Sequence, residues 1–508
     1  MIATGPTMCT GIVPGMPTTD ERLSLLLDFG GQACHGQVVN RDGECIARAE
    51  HPNDTREDGV RVELDGEAVV AGFGAVLASL DDALKAQGRQ IERTALAVQR
   101  GSVIAWDRRT GRALSPMLSW RDRRTGETTS LDPVRTEWVR QRTGLRWSPY
   151  AGAPKMRWML EHLEPVRQAA DEQRLAFGPA GSFLLARLLS NQSFCTDDSL
   201  AQRTLLWSRK TMDWDGQLLD NFGLERETLP QVCPSGFNYG CLNQLAGQPS
   251  LDLLIGDQNA VPFLTGQPDC DCLYVNLGTG GFVLRPVDRV PDTDRFQLSL
   301  LSREGGGLFA LEGSIHGAAT ALNWLADRSD GAFQVGQVDA LCETSRQPPL
   351  FLNTLDGLGS PWWTDGGGPV FEQADGDCDD SLAGRALAII ESIVFLVRAN
   401  LEAMNQHLQA PKRIVLSGGL SRSQTLCRRL ADSLGLPVQV LIGSEGTTMG
   451  AWCLLDQRHV LPETAWQSLK PRPNLELELR YRQWLKLIET RLSRKAKPSK
   501  RKDAKTPG

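Results

Sequence analysis

Leu25-Leu26-Leu27-Asp28-Phe29-Gly30-Gly31 is an apolar, strand-like run that ends in a small-residue glycine turn, and the chain returns to that pattern three more times. The others are Leu253-Leu254-Ile255-Gly256-Asp257, Tyr274-Val275-Asn276-Leu277-Gly278-Thr279-Gly280-Gly281 and Ile414-Val415-Leu416-Ser417-Gly418-Gly419. A glycine turn at the end of a buried strand lets backbone N–H groups approach a ligand closely. Four such turns, far apart in sequence, predict loops that converge on one phosphate-rich molecule.

Outward from the first run, the residues read as a β-meander. Strands are expected over 23–29, 37–39 and 44–49, with Asn40-Arg41-Asp42-Gly43 between the last two, because Asp-Gly is a strong hairpin signal. The first glycine turn therefore joins two antiparallel strands, unlike a P-loop, which opens a helix. Apolar residues three and four apart predict a helix over 70–87. Short strands follow at 95–99, 103–106 and 114–120, then helices at 153–162 and 182–189. The second half restarts the pattern with a strand at 272–277, a glycine turn, a strand at 282–285 and a helix from about Gly317. Mixed strands and helices indicate α/β layers, and two halves that begin alike suggest an internal duplication. Segments 355–369 and 373–379, rich in Pro and Gly, are expected loops.

A chain of 508 residues exceeds one compact core, so two domains are expected. Its hydrophobic content of 41% and charged content of 23% are those of a globular protein. The twelve cysteines include no CxxC pair, and the six histidines form no ligand cluster, which argues for reduced thiols and against structural zinc. No apolar run approaches the ~20 residues of a membrane span. The longest helical candidate, 382–408, carries Arg385, Glu391 and Arg398. Residues 1–19 lack the basic start and apolar core of a secretory signal, so the expected localisation is cytoplasmic. Net charge is −6, but residues 491–508 carry +7, leaving −13 elsewhere. Such a tail reads as a solvated, disordered end rather than a nucleic-acid arm.

The order of motifs resembles the FGGY carbohydrate kinases, and within them most closely the glycerol kinases. The matches are Gln99-Arg100, Trp106-Asp107, Trp120-Arg121-Asp122-Arg123-Arg124-Thr125, Thr143-Gly144-Leu145, Ser148-Pro149-Tyr150, Gly256-Asp257-Gln258, Gly278-Thr279-Gly280, Gly357-Leu358-Gly359-Ser360-Pro361-Trp362-Trp363, Ser417-Gly418-Gly419 and Met449-Gly450-Ala451. The resemblance implies a two-domain α/β actin-like ATPase (ribonuclease H-like) fold with a deep interdomain cleft. Its expected segments are a disordered N-terminus (1–20), an N-terminal domain on the substrate side (21–265), a C-terminal domain on the ATP side (266–485) and the basic tail (491–508). It implies ATP-dependent phosphorylation of a primary hydroxyl with Mg2+, and a small polyol or sugar as substrate. Neither nucleic acid nor membrane is an expected partner. Homodimer and homotetramer both stay open.

The resemblance also implies roles. Asp257 matches the general base and Gln258 a ligand to a substrate hydroxyl; from the residues alone Asp257 could equally cap the helix that follows. Asp28 matches a carboxylate that holds Mg2+ through water. Gly30, Gly31 and His35 form the first phosphate turn, while Gly278, Thr279 and Gly280 form the second, which alone would read as a hairpin. Gly418 and Gly419 match the turn against adenosine and the α-phosphate, with Ser423 opening the next helix. Arg100, Trp120, Tyr150 and Phe282 match the polyol pocket, where Arg and Tyr bond hydroxyls and aromatic faces cover C–H groups; read singly, Trp120 suits a core and Arg100 an ion pair. Three departures stand out. Gly30-Gly31 replaces Gly-Thr, His35 replaces a Lys or Arg, and Gly101 replaces the Glu that follows Arg100 in glycerol kinases, which removes an acceptor for hydroxyl hydrogen bonds. A non-catalytic nucleotide- or sugar-binding regulator is the alternative reading.

Overall fold

A computed structural model describes residues 22–126, 133–345, 347–373, 378–443, 445–457 and 460–496. The expected disordered N-terminus and most of the basic tail lie outside these residues. Contacts divide the chain into two units that are discontinuous in sequence. One comprises residues up to Cys270, Pro286–Leu311 and Gly443–Ala465, and the other Asp271–Arg285, Glu312–Ile442 and the chain from Trp466.

The first unit is built on a six-stranded sheet in the order Gly236–Cys241, Ser250–Gly256, Ile91–Val98, Leu23–Phe29, Ala33–Val39, Cys45–Pro52. The last three strands in this order form the expected antiparallel meander, and the amide of Gly43 donates to the carbonyl of Asn40 (3.1 Å) in the turn. Leu23–Phe29 and Ser250–Gly256 both run parallel to Ile91–Val98, and Phe29 and Gly256 both pair with Val98. Asp28, Arg100 and Asp257 thus lie at the carboxyl ends of three adjacent parallel strands, where an open α/β sheet presents its loops to ligands.

Helices Gly66–Lys85 and Ala180–Leu188 bury their apolar faces in the core of this unit. The first starts four residues earlier than its apolar spacing indicated, because Asp65 caps it, accepting from the amides of Glu67 (2.9 Å) and Ala68 (3.3 Å). A second sheet contains Val103–Asp107, but the strand expected at 114–120 shrinks to Met117–Leu118. Pro116 explains this, since it has no N–H for a ladder.

Helix Gly446–Asp456 belongs to this first unit although it follows the other unit's strands in sequence. Gly450 is required there, since a Cβ would sit 2.1 Å from the carbonyl oxygen of Ala260.

The second unit repeats the opening motif. Cys272–Leu277 pairs antiparallel with Gly281–Val287 across the glycine turn and parallel with Arg413–Ser417. Val438–Leu441 and Trp466–Leu469 extend the same sheet. Helix Leu382–Met404 is buried along most of its length, and its Glu391 is 1% exposed. That carboxylate is bound by Arg429 and by Arg480, whose Nε lies 2.8 Å from Oε2. The last helix, Leu475–Ala496, contains Arg491, so the expected disordered tail begins inside an ordered element as far as Ala496. Gly317 precedes rather than opens its helix, which spans Ala319–Ala326, because its φ of +73° lies outside the helical region.

Candidate functional site

In the first unit, Asp257 opens the short helix Asp257–Ala260 directly after strand Ser250–Gly256. Its Oδ1 accepts from the backbone amide of Gln258 (2.8 Å) and its Oδ2 from the side-chain amide of Gln258 (3.1 Å). Asp257 is the first residue of this helix, whose N-cap is Gly256 with no side-chain cap, so it does not act as the cap its position suggested, and its side chain keeps 24% exposure. Arg100 leaves the neighbouring strand end with its Nε 3.5 Å from Asp257 Oδ1 and its Nη1 donating to Asn259 Oδ1 (3.0 Å). Gly256 makes room for it: a Cβ there would stand 2.8 Å from Cγ and Cδ of Arg100.

Asp28 is buried on the third strand end, beside Asp257 and Glu445. Burial first, and then these two carboxylates, hold its pKa well above the ordinary range. Glu445 is engaged by Arg48. Oδ1 of Asp28 and both amide atoms of Gln99 are buried without a hydrogen-bond partner among the described residues. Unsatisfied acceptors beside clustered carboxylates fit a hydrated cation, which would relieve both the repulsion and the missing bonds. No set of three His, Cys, Asp or Glu able to ligate a metal directly occurs among the described residues, so the fit is to a cation held largely through water.

His35 is the direct cross-strand partner of Asp28 and also of Glu50, placing Asp28, His35 and Glu50 in one row across the sheet. His35 Nδ1 lies 3.5 Å from Glu50 Oε2. Gly30 closes the turn, its amide donating to the carbonyl of Ala33 (3.1 Å), while Gly31 is exposed. Trp120 and Tyr150 are half-buried on two further loops of this unit.

In the second unit the adjacent ends of Cys272–Leu277 and Arg413–Ser417 bring the two remaining glycine turns together. Gly418 has φ +91°, and a Cβ on it would lie 2.5 Å from both Asn276 Oδ1 and the carbonyl oxygen of Leu277. The carbonyls of Gly278 and Thr279 accept from the amides of Ala319 (3.0 Å) and Thr320 (3.3 Å), which anchors that turn to the following helix. Thr279 is exposed, Gly419 follows Gly418 beyond the carboxyl end of Arg413–Ser417, and Phe282 is half-buried beside Asn276. Ser423, expected at the nucleotide, caps helix Gln424–Leu434 instead, accepting from the amide of Leu426 (3.2 Å) and donating to Asp339 (2.6 Å). Its hydroxyl is committed within the unit.

Sequence reasoning missed four contributors: Asn259, Glu445, the orphaned amide of Gln99, and Lys155. Lys155 is fully buried, and its Nζ donates to the carbonyls of Gly101 (3.2 Å), Ser119 (2.7 Å) and Tyr150 (3.0 Å). Burial pushes its pKa down to about 7, against a smaller opposing pull from Asp122. A signal existed, since helical spacing puts Lys155 on the same face as the buried Gly152 and Met159.

Residues 23–272 match the N-terminal domain, and residues 273–455 the C-terminal domain, of the FGGY family of carbohydrate kinases. The chain is 31% identical over 493 residues to a glycerol kinase of Citrifermentans bemidjiense, covering 92% of this chain and 98% of that protein. It is 31% identical over 449 residues to a glycerol kinase of Koribacter versatilis, covering 84% and 88%. Among solved structures, Plasmodium falciparum glycerol kinase with ADP superposes with a TM-score of 0.83 at 18% identity, over 93% of this chain and 98% of that one. A xylulose kinase from Brucella ovis gives 0.79 at 20% identity, over 94% and 99%. These likenesses show the two-domain actin-like ATPase fold. No helix among the described residues is long and apolar enough to cross a membrane.

Proposed function

The chain belongs to the FGGY family of carbohydrate kinases and is a phosphotransferase acting on hydroxyl groups, and from that premise we propose that it uses ATP and Mg2+ to phosphorylate a primary hydroxyl of a small polyol or sugar, with Asp257 as general base. The observation that carries this reading is the carboxylate of Asp257 at a strand end, oriented by Gln258 and facing Arg100 at 3.5 Å. The attacking alcohol has to lose a proton, and Asp257 accepts it while Gln258 bonds a neighbouring hydroxyl. Arg100, Trp120 and Tyr150 cover the acceptor within the first unit, and Phe282 is an acceptor residue by its match to the family's polyol pocket. Asp28 holds Mg2+ through water, with the orphaned amide of Gln99 as a further ligand to that water. Mg2+, when bound, offsets the charge on the transferred phosphoryl group. Gly278, Thr279, Gly280, Gly418 and Gly419 offer backbone to the nucleotide, and Gly30 and Gly31 serve the transferred phosphate.

Glycerol itself is disfavoured as the best substrate, because Gly101 supplies no carboxylate beside Arg100. A longer polyol or a ketose brings additional hydroxyls to satisfy Arg100 and Tyr150. The localisation is cytoplasmic on this reading, where ATP is available.

One observation favours the rival reading of a silent binder: His35 Nδ1 lies 3.5 Å from Glu50 Oε2, so this ring nitrogen faces a carboxylate. An ADP-release assay across glycerol, erythritol, the pentitols, ribulose and xylulose decides between them. A kinase releases ADP with at least one acceptor. A regulator binds ATP in calorimetry yet releases none, for the unaltered chain and for His35→Arg alike.

A further inference from the structure

Three loops of the first unit carry the expected acceptor ligands, and one side chain ties them together. Arg100 lies on the loop after strand Ile91–Val98, Trp120 on the loop after Met117–Leu118, and Tyr150 on the turn before helix Gly152–His162. The Lys155 ammonium donates to the carbonyls of Gly101, Ser119 and Tyr150 at 3.2, 2.7 and 3.0 Å, one from each loop. In its protonated form, favoured below its lowered pKa of about 7, Lys155 has three N–H donors and no acceptor, so three carbonyls saturate it; the neutral amine above that pH keeps two of the donors.

The placement is costly, because a buried ammonium with no carboxylate bonded to it is strongly disfavoured. Asp122 acts on it only across space; its own oxygens are taken by Arg124 (2.7 Å) and by the amide of Val62 (2.8 Å). An apolar side chain could fill the volume without a charge, but it would leave three buried carbonyls unmatched.

A second, independent observation is that the same loops touch one another. A Cβ on Gly101 would lie 3.3 Å from the carbonyl oxygen of Tyr150 and 3.4 Å from Cβ of Trp120. The amide of Trp120 donates to Ser102 Oγ (3.0 Å). The three loops therefore meet at one point and share one ammonium.

We propose that Lys155 is a positioning residue that sets the spacing of Arg100, Trp120 and Tyr150, and with it acceptor selectivity, by binding all three loop carbonyls at once. The inference rests on the pocket reading given above. Lys155 acts through the loops and leaves the nucleotide side alone.

The test compares the unaltered chain with Lys155→Met, Lys155→Gln and Asp257→Asn, using the best acceptor from the assay. Lys155→Met should raise the acceptor KM about tenfold or more while the ATP Kd from calorimetry stays within about twofold, because misplaced ligands weaken acceptor binding and orientation specifically. Lys155→Gln keeps two N–H donors, so it should recover part of the acceptor KM, which a purely space-filling role would not produce. A Lys155→Met protein that binds ATP normally and keeps the acceptor KM within about twofold overturns the proposal. If Lys155→Met fails to fold, Lys155→Gln decides by the same KM criterion. Should Asp257→Asn keep its turnover, the pocket reading itself fails and this role falls with it; an inactive Asp257→Asn beside an unaffected Lys155 variant removes the positioning role alone.

Discussion

Replacing Gly101 with Glu should turn this chain toward glycerol, and the structure sets both the gain and its cost. The gain is one charge-assisted hydrogen bond between the new carboxylate and a substrate hydroxyl beside Arg100, on the order of 1.5–3 kcal/mol, or at least about tenfold in KM. The cost is conformational. Gly101 has φ +80°, and its Cβ would stand 3.3 Å from the carbonyl oxygen of Tyr150, so a side chain there carries roughly 1–2 kcal/mol of strain. That strain is present with or without substrate, so it lowers Tm by several degrees without entering KM, at ~2–4 °C per kcal/mol for a domain of this size. ADP release against glycerol concentration at saturating ATP measures the gain, and thermal unfolding the cost. A folded Gly101→Glu protein that binds ATP but shows no fall in glycerol KM refutes the argument. So does an unaltered chain that already takes glycerol with tight binding and high turnover.

Asp257→Asn preserves the shape that accepts the Gln258 amide but removes the base, so turnover should fall by roughly 10²–10⁴-fold with ATP affinity unchanged; near-normal turnover on the best acceptor would remove Asp257 from its role. Glu391→Gln leaves two guanidinium groups around a 1% exposed site without their carboxylate and should cost about 3–5 kcal/mol in urea unfolding, where a loss under about 1 kcal/mol would show the cluster to be dispensable. Lys155 has its pKa lowered by burial to about 7, so between pH 7 and about 10.5 the unfolded chain binds the extra proton and stability rises with pH. The contribution is complete above the unfolded pKa and falls away as pH drops toward 7. The difference in unfolding free energy between the unaltered chain and Lys155→Met should therefore change across that window, and a pH-independent difference would contradict it.

The glycine-ended strands were legible because apolar runs and glycine turns are local signals. Leu23–Phe29, the hairpin at Asn40 to Gly43, Cys272–Leu277 and Arg413–Ser417 all appear where the residues put them. Elements that depend on a distant partner were not. Helix Gly446–Asp456 falls by sequence in the expected C-terminal domain, but the approach of Gly450 to the Ala260 carbonyl and the bond from Gln37 to Met449 show that it packs in the first unit. Ser423 opens its helix as its place after the glycine turn indicated, but its bond to Asp339, far away in sequence, has no local signal.

The candidate site divides along the same line. Asp28, Arg100 and Asp257 each announced themselves by a strand end, but their proximity follows from the parallel pairing of Ile91–Val98 with both neighbours, which no spacing in the sequence encodes. That pairing has an electrostatic consequence. Burial first, and then the closeness of Asp257 and Glu445, make Asp28 resist ionisation; Arg100 faces Asp257 and Arg48 engages Glu445. Asp28 is the carboxylate of the three without such a pairing. On the proposed reading a cation held there through water would supply what the fold withholds. Mg2+ binding then favours the ionised form of Asp28, whereas the anionic nucleotide alone disfavours it. The ratio of nucleotide affinities measured by calorimetry with and without Mg2+ should therefore rise as pH climbs through the raised pKa of Asp28, and a pH-independent ratio would refute the assignment.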